Sequence, residues 1–135
     1  MREPVSVGDT AETVYEDLQR EDLVKFAGAS GDFNPIHYDE PFAKSAGYPS
    51  VFGQGMYTAA LVSNLVDEWF GVDSLETYHT RFVGQTWPDD DIVVTGEVTD
   101  VTEDGDETVV ELDLTAENGD GEPLVTGGAT VRVSA

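Results

Sequence analysis

The stretch from Val51 to Phe70 constrains this chain more than any other. Met56, Tyr57, Ala59, Ala60, Leu61, Val62, Leu65, Val66 and Trp69 fall within it, with few polar positions between them. A helix that is apolar nearly all round has no face to offer water and must be buried. The chain has 135 residues, the size of one ordinary domain, so such a helix belongs at the centre of its core. The pattern predicts a helix over Val51–Phe70, with Gly53 and Gly55 at its start permitting close approach of backbone to another group, and Gly71 at its end.

Beyond the helix the chain reads as strands. Thr77 to Thr86 is a candidate, closed by Pro88 and the run Asp89-Asp90-Asp91. Ile92, Val94, Gly96 and Val98 then alternate with Val93, Thr95 and Glu97. Val110, Leu112, Leu114 and Ala116 alternate with Glu111, Asp113 and Thr115, and Val125 to Val133 repeats the pattern, the period of half-buried strands. Asp104-Gly105-Asp106 and Asn118-Gly119-Asp120-Gly121 are hairpin turns. Ahead of the long helix, Thr10 to Leu18 suits an opening strand, Glu21 to Ser30 a short amphipathic helix with Glu21 and Lys25 paired along it, and Pro41 to Ala46 a shorter helix. An antiparallel meander needs something packed on its apolar face, and the buried helix supplies it. The expectation is an α+β chain, one domain over residues 1–135, with a sheet wrapped around a helix in the hot-dog arrangement.

Charge narrows the function. Six basic residues stand against 28 acidic ones, a formal net charge of −22. Such a surface repels nucleic acid and anionic membrane. The acids are spread along the chain with apolar residues between them, which predicts an acidic folded surface rather than a disordered tail. Acid-rich, lysine-poor composition of this kind suits a halophile, where molar salt screens the self-repulsion. There is no cysteine, which excludes disulfides, thiolate metal sites and cysteine nucleophiles. No apolar run approaches the ~20 residues that span a bilayer. Met1 to Asp9 lacks the pattern of a secretory signal, so a cytoplasmic protein is expected.

The unusual polar residues converge on Gly31-Asp32-Phe33-Asn34-Pro35-Ile36-His37. Pro35 pushes Asn34 to an extended conformation, so Asp32 and His37 lie on an irregular segment where their side chains can meet on one water molecule. A carboxylate and an imidazole on one water form an acid–base pair suited to neutral pH. The same residues also suit a plain turn, with Asp and Asn bonding nearby backbone, and His37 suits a structural role. A calcium loop fails, because His37 stands where that loop needs glycine and Ala43 where it needs glutamate. A metal held by Asp32, His37 and Asp39 has acceptable ligand types but matches no recognised spacing.

Ser30-Gly31-Asp32-Phe33-Asn34-Pro35-Ile36-His37 resembles the signature of the MaoC-like hydratases, the group that contains the (R)-specific enoyl-CoA hydratases. Phe42-Ala43 and Gly55-Met56 fall at that family's spacing. The resemblance implies a hot-dog fold, a homodimer, and hydration of enoyl thioesters of coenzyme A or acyl carrier protein. It implies no cofactor beyond the coenzyme A of the substrate, and no metal. Asp32 and His37 match the catalytic pair, Asn34 a positioning residue beside them, and Gly55 the residue whose N–H holds the thioester oxygen. A helix-start N–H suits that role independently, since enolate charge develops on that oxygen. Ser63 matches a serine near the site in related enzymes, although a helical serine also bonds its own backbone. Gln54 stands where many relatives have histidine, so substrate placement is expected to differ there.

Two other functions compete. Hot-dog thioesterases place a carboxylate on or beside the central helix, whereas Asp67 and Glu68 come only at its far end. A non-catalytic acyl-thioester-binding subunit would not need both Asp32 and His37. His79 and Arg81 share a face of a candidate strand with Gln85. Arg81 is read first as a partner for surrounding acids and second as a contact for a coenzyme A phosphate. Tyr57, Phe33 and Phe52 are candidates for an acyl tunnel as well as for the core.

Overall fold

The computed structural model describes residues 4–134; Met1, Arg2 and Glu3 of the N-terminal segment weighed above as a signal lie outside it. Strand β1 (Thr10–Tyr15) and helix α1 (Arg20–Ser30) lead to a short helix α2 (Glu40–Ser45) and the long helix α3 (Gly55–Phe70). Four strands come next: β2 (Leu75–Phe82), β3 (Ile92–Asp104), β4 (Glu107–Asn118) and β5 (Pro123–Ser134). They form, with β1, one antiparallel sheet in the order β1-β3-β4-β5-β2. The β3–β4 turn is the tight Gly105-Asp106 loop, and Asn118 Oδ1 closes the β4–β5 turn by accepting from the amides of Asp120 and Glu122, each at 3.0 Å.

Alternation decides which face is inside. Val110, Leu112, Leu114 and Ala116 of β4 are buried, while Glu111 and Asp113 between them are exposed. The buried row packs with Leu61, Val62, Leu65, Val66 and Phe70 of α3 in one core, so the sheet curls around the helix as a hot-dog fold. Truncating a fully enclosed member such as Val66 removes roughly 1.5–3 kcal/mol of burial before any cavity cost. A smaller cluster of Leu18, Leu23, Ala43 and Val51 lies under α1 and α2. Among the described residues no carboxylate is buried, as an acidic folded surface requires.

Several element boundaries differ from those the sequence predicts: β1 ends at Tyr15 rather than Leu18, β3 runs on to Asp104, and two further shifts are linked. Helix α3 begins at Gly55, four residues after Val51, and β2 ends at Phe82, four residues before Thr86. The two displaced segments bond each other: Gly53 N–H donates to Thr86 O at 2.6 Å. The ladder of β2 stops where Val83 and Gly84 both donate to Leu124 O, at 2.9 and 3.1 Å, and the chain then turns inward to bury Thr86. Residues 51–54 are buried and outside the helix: the Phe52 and Gly53 amides bond residues 36 and 86, and only the Gln54 carbonyl turns towards α3.

Candidate active site

Helix α1 ends at Gly31, whose φ of 79° needs a glycine and whose N–H donates to Ala27 O at 2.9 Å. From there each second side chain caps the backbone two residues on. Ser30 Oγ accepts from Asp32 N at 3.2 Å, Asp32 Oδ1 from Asn34 N at 3.3 Å, and Asn34 Oδ1 from Ile36 N at 3.2 Å. Pro35 opens a single 3-10 turn, Pro35–His37, that delivers the imidazole. Turn chemistry and pairing therefore coexist in Asp32: Oδ1 holds the turn, and Oδ2 lies 3.7 Å from His37 Nε2.

That gap is too long for a direct hydrogen bond. His37 is buried, whereas the Asp32 side chain is 46% exposed, so the pair lies where a protein wall meets solvent. On its other edge His37 Nδ1 lies 2.7 Å from Phe52 O. A carbonyl oxygen only accepts, so Nδ1 carries the proton of the neutral ring and Nε2 presents a lone pair. An ionised Asp32 presents a second acceptor. Two acceptors 3.7 Å apart are complementary to one water that donates a hydrogen to each. The Phe52 ring meets the imidazole edge-on at 5.3 Å and is itself packed on Tyr48 and Trp87, which fixes the ring plane.

Phe52 also ties His37 to the start of α3. Its N–H donates to Ile36 O at 3.4 Å while its carbonyl accepts from His37, and Gly55 comes three residues later. No side chain caps α3; Tyr57 N and Thr58 N donate to the Gln54 carbonyl, so it is the Gly55 and Met56 amides that have no acceptor within the helix. A Cβ at residue 55 would fall 3.2 Å from three atoms of the Phe82 ring, which places that ring directly against the glycine. The structure thus joins Asp32, Asn34 and His37 to the segment carrying Gly55.

The other candidate side chains bond elsewhere or face solvent. Ser63 Oγ donates to Ala60 O at 2.9 Å, the self-bonding alternative for a helical serine. Gln54 is wholly buried, and its side chain bonds the Leu23 carbonyl. Phe33 is 62% exposed, and Tyr57 is half-buried edge-on to Phe26. Asp39 caps α2 through Phe42 N, and among the described residues no three His, Asp or Glu side chains gather to hold a metal ion. Arg81 makes no ion pair among the described residues but lines a surface cavity together with Asp113, whereas Arg20, Lys25 and Arg132 each meet a carboxylate. The Phe52 carbonyl was not foreseen; a backbone oxygen carries no residue-type signal.

Comparison with known proteins bears on the same segment. A family model described as "MaoC like domain" matches residues 2–119. The chain belongs to the MaoC-like domain family. A solved (R)-hydratase from A. caviae, described as involved in PHA biosynthesis, superposes with a TM-score of 0.87 at 27% identity, covering 98% of this chain and 99% of that one. A 3-hydroxybutyryl-CoA dehydratase of Methylorubrum extorquens is 39% identical over 61 residues, 45% of this chain and 38% of that protein. Fatty acid synthase subunit beta of Aspergillus oryzae is 38% identical over 77 residues, 54% of this chain but 4% of that much longer protein. The superposition agrees with the observed hot-dog fold. No helix of the described residues is long and apolar enough to cross a membrane.

Proposed function

We propose that this MaoC-like chain hydrates trans-2-enoyl thioesters of coenzyme A or acyl carrier protein to (R)-3-hydroxyacyl thioesters, reversibly. The observation that carries the reading is the pair of acceptors, Asp32 Oδ2 and His37 Nε2, 3.7 Å apart and fixed in tautomer by Phe52. The bound water adds its oxygen to the β carbon and releases a proton to the pair. The α carbon takes a proton in return, so the site ends with the protons it began with. As the β carbon is attacked, negative charge develops on the thioester oxygen, where the Gly55 N–H and the positive end of the α3 dipole stabilise it. The (R) configuration rests on the likeness to the A. caviae enzyme. A homodimer acting on a soluble acyl thioester, without a further cofactor, completes the reading.

The test is incubation with crotonyl-CoA followed by chiral analysis of the product. Formation of (R)-3-hydroxybutyryl-CoA is expected. Release of free coenzyme A without hydration would move the assignment to a thioesterase, and binding without turnover to a non-catalytic subunit.

A further inference from the structure

Gln54 immediately precedes Gly55 and is 1% exposed. Its Nε2 donates to Leu23 O in α1 at 3.1 Å, while its Oε1 is buried with no protein group bonded to it. Leu23 O lies within α1, where the amide four residues on serves it, so that carbonyl does not depend on Gln54. A buried, unbonded amide oxygen costs stability, and an apolar side chain of like length would fill the same space without that cost. An amide kept at such a cost beside a reacting group is explained by what it holds in place.

The Gln54 carbonyl accepts from Tyr57 N at 3.0 Å and Thr58 N at 3.4 Å. The same planar peptide carries the Gly55 N–H on its opposite side. Gly53 N bonds Thr86 O, and Thr58 Oγ1 pairs with Thr86 Oγ1 at 3.0 Å. The peptide between residues 54 and 55 is thus tied to the first turn of α3, to the segment around Thr86, and to α1. Only the tie to α1 depends on which side chain stands at residue 54.

We propose that Gln54 is a positioning residue, whose bond to the Leu23 carbonyl sets the orientation of the peptide bearing the Gly55 N–H and so aims that amide at the thioester oxygen. The inference rests on the hydration reading and assigns Gln54 a role through Gly55 rather than by contact with substrate. Misplacing a group in such a site costs up to about 100-fold in rate.

The test uses Gln54→Met, which keeps length and volume but has no N–H donor and only a weakly accepting thioether, and Gln54→His, whose ring N–H offers a donor to Leu23. Crotonyl-CoA kinetics and thermal unfolding are measured for both beside the wild type. Gln54→Met should unfold at the wild-type temperature or above it. Its kcat should fall about tenfold or more, with KM changed less than about threefold and the shape of the pH–rate profile kept. Gln54→His should recover most of the lost kcat. Wild-type kcat in Gln54→Met overturns the proposal. So does loss of folding, or a fall in kcat that tracks a fall in unfolding temperature, since either makes the residue structural. A wild-type protein that hydrates no enoyl thioester overturns the hydration reading and this inference with it, an outcome distinct from an active wild type matched by Gln54→Met.

Discussion

The imidazole Nδ1 of His37 is held 2.7 Å from the carbonyl oxygen of Phe52, so a backbone group fifteen residues away selects the nitrogen that faces Asp32. The tautomer is therefore written into the path of residues 51–54, and not into any side chain that mutation would remove. The Phe52 ring adds only the edge-on packing that holds the imidazole plane.

This separation gives graded expectations for catalysis. Asp32→Asn keeps shape but loses the ionisable carboxylate, and His37→Gln loses the imidazole. General acid–base groups contribute typically about 100- to 10,000-fold, so each variant should lose at least about 100-fold in kcat. Because the two hold one water as a unit, the double variant should be little worse than the poorer single one. Phe52→Leu keeps the carbonyl and should lose about tenfold or less in kcat, within the cost of a small misplacement. Steady-state kinetics with circular dichroism as a folding control checks all four. A folded Asp32→Asn protein with normal turnover removes Asp32 from the mechanism.

Much of this was legible in the sequence, for reasons that also explain what was not. The alternation of Val110, Leu112, Leu114 and Ala116 reports a sheet with one wet face, and the turn around Asn118 carries its own hydrogen-bond acceptor. The Asp32-to-His37 segment was visible because its turn is built from side chains two residues apart. The start of α3 and the end of β2 were misplaced because residues 53 and 86 satisfy each other from distant points in the chain. A local window sees apolar residues at 51 and 52 and extends the helix through them. The inward turn of Gln54 depends on a carbonyl of α1, a partner with no signature in residue type.

Salt should stabilise the protein. A net charge of −22 with no buried carboxylate among the described residues places the repulsion on the surface. At about 1 M salt the Debye length falls to about 3 Å, and most of that repulsion is screened. The same salt weakens exposed pairs such as Glu21–Lys25 and Arg20–Glu40, each of little net worth in water. Repulsion among many acids outweighs a few such pairs, so the unfolding temperature should rise from dilute buffer to molar KCl. A midpoint that is unchanged or lower sinks the halophile reading.

The sheet edges give an expectation for assembly. Among the described residues β1 and β2 each have one edge without a neighbouring strand, a hazard that pairing with a second copy removes. Beside the β2 edge, Met56, Phe82 and Val83 are 61%, 51% and 47% exposed, an apolar group next to Gly55. A homodimer that covers them is expected, and light scattering under assay conditions checks it. A stable, active monomer contradicts this expectation.

Alkaline pH should loosen the hold of α3 on the sheet through Tyr78. Its hydroxyl donates to Ala59 O of α3 at 2.6 Å, joining β2 to the central helix. Burial pushes this phenol up from its ordinary value of 10.0 to about 12. The folded protein thus keeps the proton where the unfolded chain has released it. By linkage, stability from this group is fully present below about pH 10 and declines as pH rises towards 12, because the unfolded state binds fewer protons in that window. Tyr78→Phe removes both the proton and the bond. It should cost about 1 kcal/mol at neutral pH, typical of one hydrogen bond, and flatten the loss of stability between about pH 10 and 12 relative to wild type. Urea unfolding at a series of pH values measures both effects, with the remaining tyrosines common to the two proteins. Parallel declines in wild type and Tyr78→Phe would show that the Tyr78–Ala59 bond does not govern the alkaline limit.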